Sequence, residues 1–309
     1  MNDATRFRVT RQWRLRSRHL TLGARTLVMG VVNITPDSFS DGGLYLEPER
    51  AVEHALRLLD DGADLLDLGA ESTRPGSHAG DPQAAAVSGD EEQARLLPVL
   101  EQVLKARPEA VISVDTYKSA TARAAVAAGA EIVNDVSGFT WDASMAQVCS
   151  ELHCGVVLMH TRGRPEEWRG QPLLDGEPLL AMVLEGLQTS LTTAAEAGVS
   201  EDAVVLDPGY GFGKRFEENY SLLARQARLL GLGRPLLAGL SRKSFLSRTL
   251  LKRLEYADGQ VAEAFREIAG IAALVTAILH GASIVRVHSV RPAIEAAAIA
   301  DAVLAGCEH

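Results

Sequence analysis

The chain has 309 residues, 47% of them hydrophobic and 23% charged, which is enough apolar material for a large core and excludes a disordered or fibrous protein. Its 31 Lys plus Arg against 40 Asp plus Glu give a formal net charge of -9, which argues against a nonspecific nucleic-acid binder, whose surface must be broadly basic. Cys149, Cys154 and Cys307 show neither CxxC nor Cys/His ligand spacing, so buried thiols in a reducing cytoplasm are expected rather than a disulfide framework.

The first 25 residues are rich in arginine, from Arg6 to Arg25, a bias shared with transit peptides. Phe7, Val9, Trp13, Leu15, Leu20 and Leu22 fall largely in period two, however, and no apolar signal-peptide core is present. The pattern predicts a two-stranded β-hairpin lid over residues 1–26 that turns at Gly23. Short apolar, β-branched runs then predict strands at 27–33, 65–69, 111–115, 131–135, 155–160, 203–207, 235–240 and 283–288. Helical periodicity lies between them, as at 50–61, 91–105, 119–128, 179–197, 262–279 and 291–304. Strands separated by helices must run parallel. Eight such units over residues 27–309 predict a (β/α)8 TIM barrel, with a doubly wound open sheet as the alternative. Residues 74–89, with three glycines and two prolines, predict a mobile surface loop. The apolar run 268–279 is too short for a membrane span.

In either parallel architecture ligands bind beyond the carboxyl ends of the strands. Those ends carry Asn33, Glu71 to Arg74, Asp115 with Thr116, Asn134 with Asp135, His160, Asp207, Ser241 to Ser244, and Arg286 with His288. Arg286 and His288 are two apart on one strand and point to one face. With Arg74 on a neighbouring loop they suggest an anion site, and Asn33 offers a neutral oxygen suited to Mg²⁺ that keeps most of its waters. Such a set fits a pyrophosphate; the alternative is that Arg286 pairs with a core carboxylate. Asp115, Asn134 and Asp207 can match the N–H and C=O edges of a flat, pterin-like heterocycle. Lys243 can pair with Asp207 and donate to a ring carbonyl. The helix start at Ser244 can meet a carboxylate, or its serine can simply cap. Neither GxxxxGK[ST] nor GxGxxG nor HExxH nor GxSxG occurs, which disfavours nucleotide folds, zinc hydrolases and α/β-hydrolases.

The segments LVMGVVNITPDSFSDGG (27–43), GADLLDLGAESTRPG (62–76), ISVDTYK (112–118), IVNDVSG (132–138), VVLMH (156–160), LDPGYGFGK (206–214), LSRKSF (240–245) and RVH (286–288) together resemble the dihydropteroate synthase family. The resemblance implies a (β/α)8 barrel, usually a homodimer. It also implies the joining of 6-hydroxymethyl-7,8-dihydropterin pyrophosphate to 4-aminobenzoate in folate synthesis. By motif position, Asp115, Asn134, Asp207 and Lys243 would hold the pterin, and Asn33, Arg286 and His288 the pyrophosphate, with Mg²⁺ bridging at Asn33. Thr73, Arg74, Pro75, Phe212 and Ser244 would form the aminobenzoate pocket, and Asp37 would help close the site. Asp115, Lys243, Arg74 and Asp37 would be the catalytic set. The sequence departs from the family pattern at Ser289, where Asp is common, and at Thr161, where Met is usual, and residues 77–89 are longer than usual. Three other readings stay open: a corrinoid-linked pterin methyltransferase, a Schiff-base aldolase using Lys243, and a noncatalytic pterin sensor.

Overall fold

The computed structural model describes residues 9–35, 47–72, 79, 87–254 and 263–306. Two short antiparallel strands, β1 (Arg11–Arg14) and β2 (His19–Leu22), come first. Strand and helix then alternate through β3 (Leu27–Asn33), α1 (Glu47–Asp60), β4 (Leu65–Gly69), α2 (Gly89–Ala106), β5 (Ile112–Asp115), α3 (Ser119–Ala127), β6 (Ile132–Asp135) and α4 (Met145–Leu152). The series continues with β7 (Gly155–Met159), α5 (Gly176–Glu196), β8 (Val204–Asp207), α6 (Phe216–Arg225), β9 (Leu236–Ala238), α7 (Ser244–Arg253), α8 (Glu263–Leu279), β10 (Ala282–Val287) and α9 (Val290–Gly306).

Strands β3 to β10 close into a parallel barrel, in which β10 pairs with both β9 and β3. That closure is a TIM barrel and excludes the open sheet. The strands are near-continuous apolar runs because parallel strands wrapped by helices are buried on both faces. Each helix offers the complementary stripe. In α2, Leu96, Val99, Leu100 and Val103 are buried at helical spacing, and Ser88 starts the helix by accepting the Glu91 N–H at 3.2 Å. The predicted loop at 74–89 lies outside the described residues apart from Ala79, Val87, Ser88 and Gly89.

A second apolar cluster fills the barrel at the beginnings of the strands. Trp13, Leu15 and Leu22 of the hairpin pack there on Leu27, Met29, Leu65 and Ile132. The Trp13 indole donates to Ala203 O at 2.8 Å, so the hairpin covers the end of the barrel opposite the carboxyl ends of the strands. Its arginines have partners on that face: Arg14 lies 3.4 Å from Asp202 and Arg18 3.3 Å from Glu131. The hairpin reverses between Leu15 and Arg18, where Leu15 N–H donates to Arg18 O at 2.8 Å, and not at Gly23 as expected. Gly23 instead turns the chain from β2 into β3 at φ +92°, where a Cβ would meet Val9 O at 2.5 Å.

Candidate functional site

The carboxyl ends of the strands meet around a buried carboxylate that has little signal in the sequence. Asp67, in the middle of the apolar β4, is fully buried. It accepts from Ser113 Oγ at 2.7 Å, Asn134 Nδ2 at 3.0 Å and Arg286 Nε at 2.6 Å. Three donors satisfy a charge that would otherwise be costly in the interior. Arg286 also reaches Asp115 Oδ2 at 2.8 Å through Nη2. One guanidinium therefore joins β4, β5 and β10, and the pairing with a core carboxylate occurs at the mouth itself. Burial pushes the Asp115 carboxyl up to about 7, with Arg286 the chief opposing influence. Arg286 is held above its ordinary value: burial acts against its charge, and Asp67 and Asp115 more than offset it.

Asp207 ends β8 on the other side of the same opening. A Cβ on Gly239 would lie 3.8 Å from Asp207 Oδ2 and 3.9 Å from Arg286 Cβ, ordinary contact distances that place both groups beside the end of β9. Asp207 Oδ1 accepts the Gly209 N–H at 2.7 Å. Burial raises its pKa, opposed by that bond and by the charge of Lys243. The expected Lys243–Asp207 contact is not made. The Lys243 ammonium instead lies 4.3 Å from the centre of the Phe212 ring, a cation–π arrangement, and Asp207 acts on it through space. Burial lowers Lys243 to about 8, with Asp207 opposing. Trp168, from the connection after β7, meets the same Phe212 ring edge-on at 5.4 Å.

His288 follows β10, with Nδ1 3.0 Å from Ser241 Oγ beyond β9. Ser244 is the first residue of α7 and is exposed; its side chain makes no cap, and Lys243 occupies the capping position. Asn33, at the end of β3, is half-buried. Among the described residues no group of three or more His, Cys, Asp or Glu could hold a metal. A lone carboxamide fits only an ion held mainly by water and a phosphate ligand, as Mg²⁺ commonly is. His160 is turned away from the opening: its ring packs on Gly186 of α5, where a Cβ would meet it at 2.5 Å. Glu71 pairs with Lys118, which also lies 3.2 Å from Glu92. Thr161 Oγ1 donates to Gly163 O at 2.9 Å. Ser289 lines a cavity of ≈ 150 Å³ beside Arg242, Arg266 and Arg286. Asp37, Thr73, Arg74 and Pro75 lie outside the described residues.

The expected residues Asp115, Asn134, Asp207, Lys243 and Arg286 thus come together at one mouth, with Asn33 and His288 at neighbouring strand ends and Ser244 at the start of α7. A family model described as pterin binding enzyme matches residues 29–288. The dihydropteroate synthase of Bacillus subtilis strain 168 is 41% identical over 286 residues, covering 92% of this chain and 91% of its own length. Among solved structures, Xanthomonas albilineans dihydropteroate synthase with 4-aminobenzoic acid has a TM-score of 0.83 at 39% identity, covering 96% of this chain and 99% of that one. The Xanthomonas albilineans enzyme in complex with 7,8-dihydropteroate has a TM-score of 0.78 at 37% identity, covering 94% and 99%.

Proposed function

This chain belongs to the pterin-binding enzyme family, among the dihydropteroate synthases, and from that premise we propose how its mouth carries out the condensation. The reaction joins 6-hydroxymethyl-7,8-dihydropterin pyrophosphate to 4-aminobenzoate and yields 7,8-dihydropteroate and pyrophosphate. Asp115, Asn134, Asp207 and Lys243 hold the pterin, their acceptors matching its ring N–H groups and Lys243 its carbonyl. Asn33, Arg286 and His288 hold the diphosphate. Phe212 and Ser244, with Thr73, Arg74 and Pro75, form the aminobenzoate pocket, and Asp37 closes over it.

The C–O bond to the diphosphate breaks first, its electron pair leaving with the pyrophosphate, and a methylene cation remains conjugated with the ring. Arg286 and His288 stabilise the departing charge, and the Asp115 carboxylate stabilises the cation. Each ~1.36 kcal/mol of such stabilisation is about tenfold in rate, so no covalent nucleophile is needed. The aniline nitrogen, held against Phe212, then forms the C–N bond and sheds one proton. A Mg²⁺ ion at Asn33 would supply further charge neutralisation on the diphosphate. The observation that carries these assignments is the single Arg286 guanidinium bridging Asp67 and Asp115 beside Asp207.

Exposed Phe265 and Ile268 on α8, and Ile299 and Val303 on α9, support a homodimer formed through these adjoining helices. The buried free thiols Cys149 and Cys154 fit a reducing cytoplasm. No described helix is long and apolar enough to cross a membrane. Incubation with dihydropterin pyrophosphate and 4-aminobenzoate, with and without Mg²⁺, tests the chemistry. Dihydropteroate should form in the presence of Mg²⁺ and fall sharply on chelation. Equal rates in both conditions would remove the metal from the mechanism, and no product in either would refute the assignment.

A further inference from the structure

Lys214 ends the DPGYGFGK segment, is 4% exposed and takes no part in the chemistry above. Its ammonium donates to three backbone carbonyls: His160 O at 3.1 Å, Gly209 O at 2.9 Å and Phe212 O at 3.2 Å. An ammonium has three N–H donors and no acceptor, so these bonds use it completely. Among the described residues no carboxylate lies within ion-pair distance of it. The three carbonyls come from two connections, the one after β7 and the one after β8.

The β8 connection is wound to deliver them. Gly209, Gly211 and Gly213 all have positive φ, +68°, +85° and +70°, and a Cβ on Gly209 would fall 1.9 Å from His160 O. A backbone in that conformation turns successive carbonyls inward without pairing them in a ladder. The segment's other bonds run within itself or to the α6 side: Phe212 N–H donates to Gly209 O at 3.1 Å, Gly209 N–H to Asp207 Oδ1 at 2.7 Å, Gly211 N–H to Asn219 Oδ1 at 2.7 Å, Asn219 Nδ2 to Lys214 O at 3.0 Å and Tyr210 Oη to Gln226 Oε1 at 2.8 Å. Without the ammonium, the His160 and Phe212 carbonyls would lose the donor they have here, at the cost typical of an unsatisfied group away from water, while Gly209 O would keep the Phe212 N–H. Burial lowers Lys214 to about 7, with Asp207 opposing.

The segment so held carries Phe212, whose ring lies under the Lys243 ammonium and against Trp168. We propose that Lys214 is a positioning residue for the aminobenzoate pocket: its three-carbonyl clasp fixes the β8 connection against the end of β7 and thereby sets the Phe212 ring beneath Lys243. This inference rests on the assignment of Phe212 to that pocket. Asp115, Asn134 and Asp207, by contrast, lie in the strands themselves, so the pterin subsite keeps these three groups when the clasp is lost.

Steady-state kinetics of Lys214→Met, Lys214→Gln and Phe212→Ala, with calorimetric binding of the pterin pyrophosphate, test it. Lys214→Met should raise KM for 4-aminobenzoate by about tenfold or more while the Kd for the pterin pyrophosphate stays within about twofold. Lys214→Gln keeps two of the three donors and should fall between it and the parent; if Lys214→Met does not fold, Lys214→Gln carries the comparison. An unchanged aminobenzoate KM in the folded lysine variant, beside a raised one in Phe212→Ala, would overturn the positioning role alone. An equal loss on both substrates would overturn it as well, because the effect would then be general. If Phe212→Ala itself leaves the aminobenzoate KM unchanged, the pocket assignment fails and the inference fails with it.

Discussion

Asp115 shows how a single side chain reports on the site. Its pKa in the fold, about 7, lies above its ordinary 3.8, chiefly because it is buried. Between those values the folded chain binds a proton that the unfolded chain has released. The group therefore costs stability progressively as pH rises from about 4 towards 7, and the full cost is present above that range. A pterin whose ring N–H groups donate to this carboxylate favours its charged form and lowers the pKa. Binding of a pterin that lacks the diphosphate should release protons near pH 6, measured by calorimetry in buffers of different ionisation enthalpy, and the release should vanish in Asp115→Asn. Proton uptake on binding, or a release unchanged in the variant, would place the ring elsewhere. Asp67 illustrates what one sequence cannot expose. A lone Asp inside LLDLG is the only hint, and its role depends on Ser113, Asn134 and Arg286 converging from three other strands. The absent Lys243–Asp207 contact has a similar cause, since only coordinates reveal the aromatic face that Lys243 occupies.

Among the elements, the barrel strands were the most legible, because burial on both faces leaves an apolar run that ends at a polar residue. β3 and β4 span the expected 27–33 and 65–69, whereas β9 is only Leu236–Ala238 within the expected 235–240. Of the helices, α4 has eight residues and α6 carries Glu217, Glu218 and Arg225 in ten, too little apolar period to stand out in a linear pattern. The hairpin was legible as alternation, but its position was not, since covering the base of the barrel is a property of the closed fold. Trp13 is 1% exposed and hydrogen-bonded to Ala203 O. Trp13→Ala should therefore cost about 3–5 kcal/mol in urea unfolding while leaving both KM values near those of the parent, because the mouth is at the other end. A loss below about 1 kcal/mol would mean that the base packs well without the hairpin.

At the scale of the whole molecule, the fold converts Asp67 and Arg286, 219 positions apart, into direct neighbours. A parallel barrel does this by construction, because every strand delivers its last residues to one rim. Many of the expected strand-end residues therefore meet at that rim, whereas His160 faces α5 and Glu71 pairs with Lys118. The resemblance of eight ordered segments supplied the chemistry, which the rim alone leaves open among pterin-binding functions. The most direct measurement is a crystal structure with the pterin pyrophosphate and Mg²⁺ bound. The ring is expected between Asp115, Asn134 and Asp207, with the diphosphate against Asn33, Arg286 and His288. A ring bound in the ≈ 150 Å³ cavity lined by Arg242, Arg266 and Ser289, or with its diphosphate pointing away from Arg286, would contradict the account.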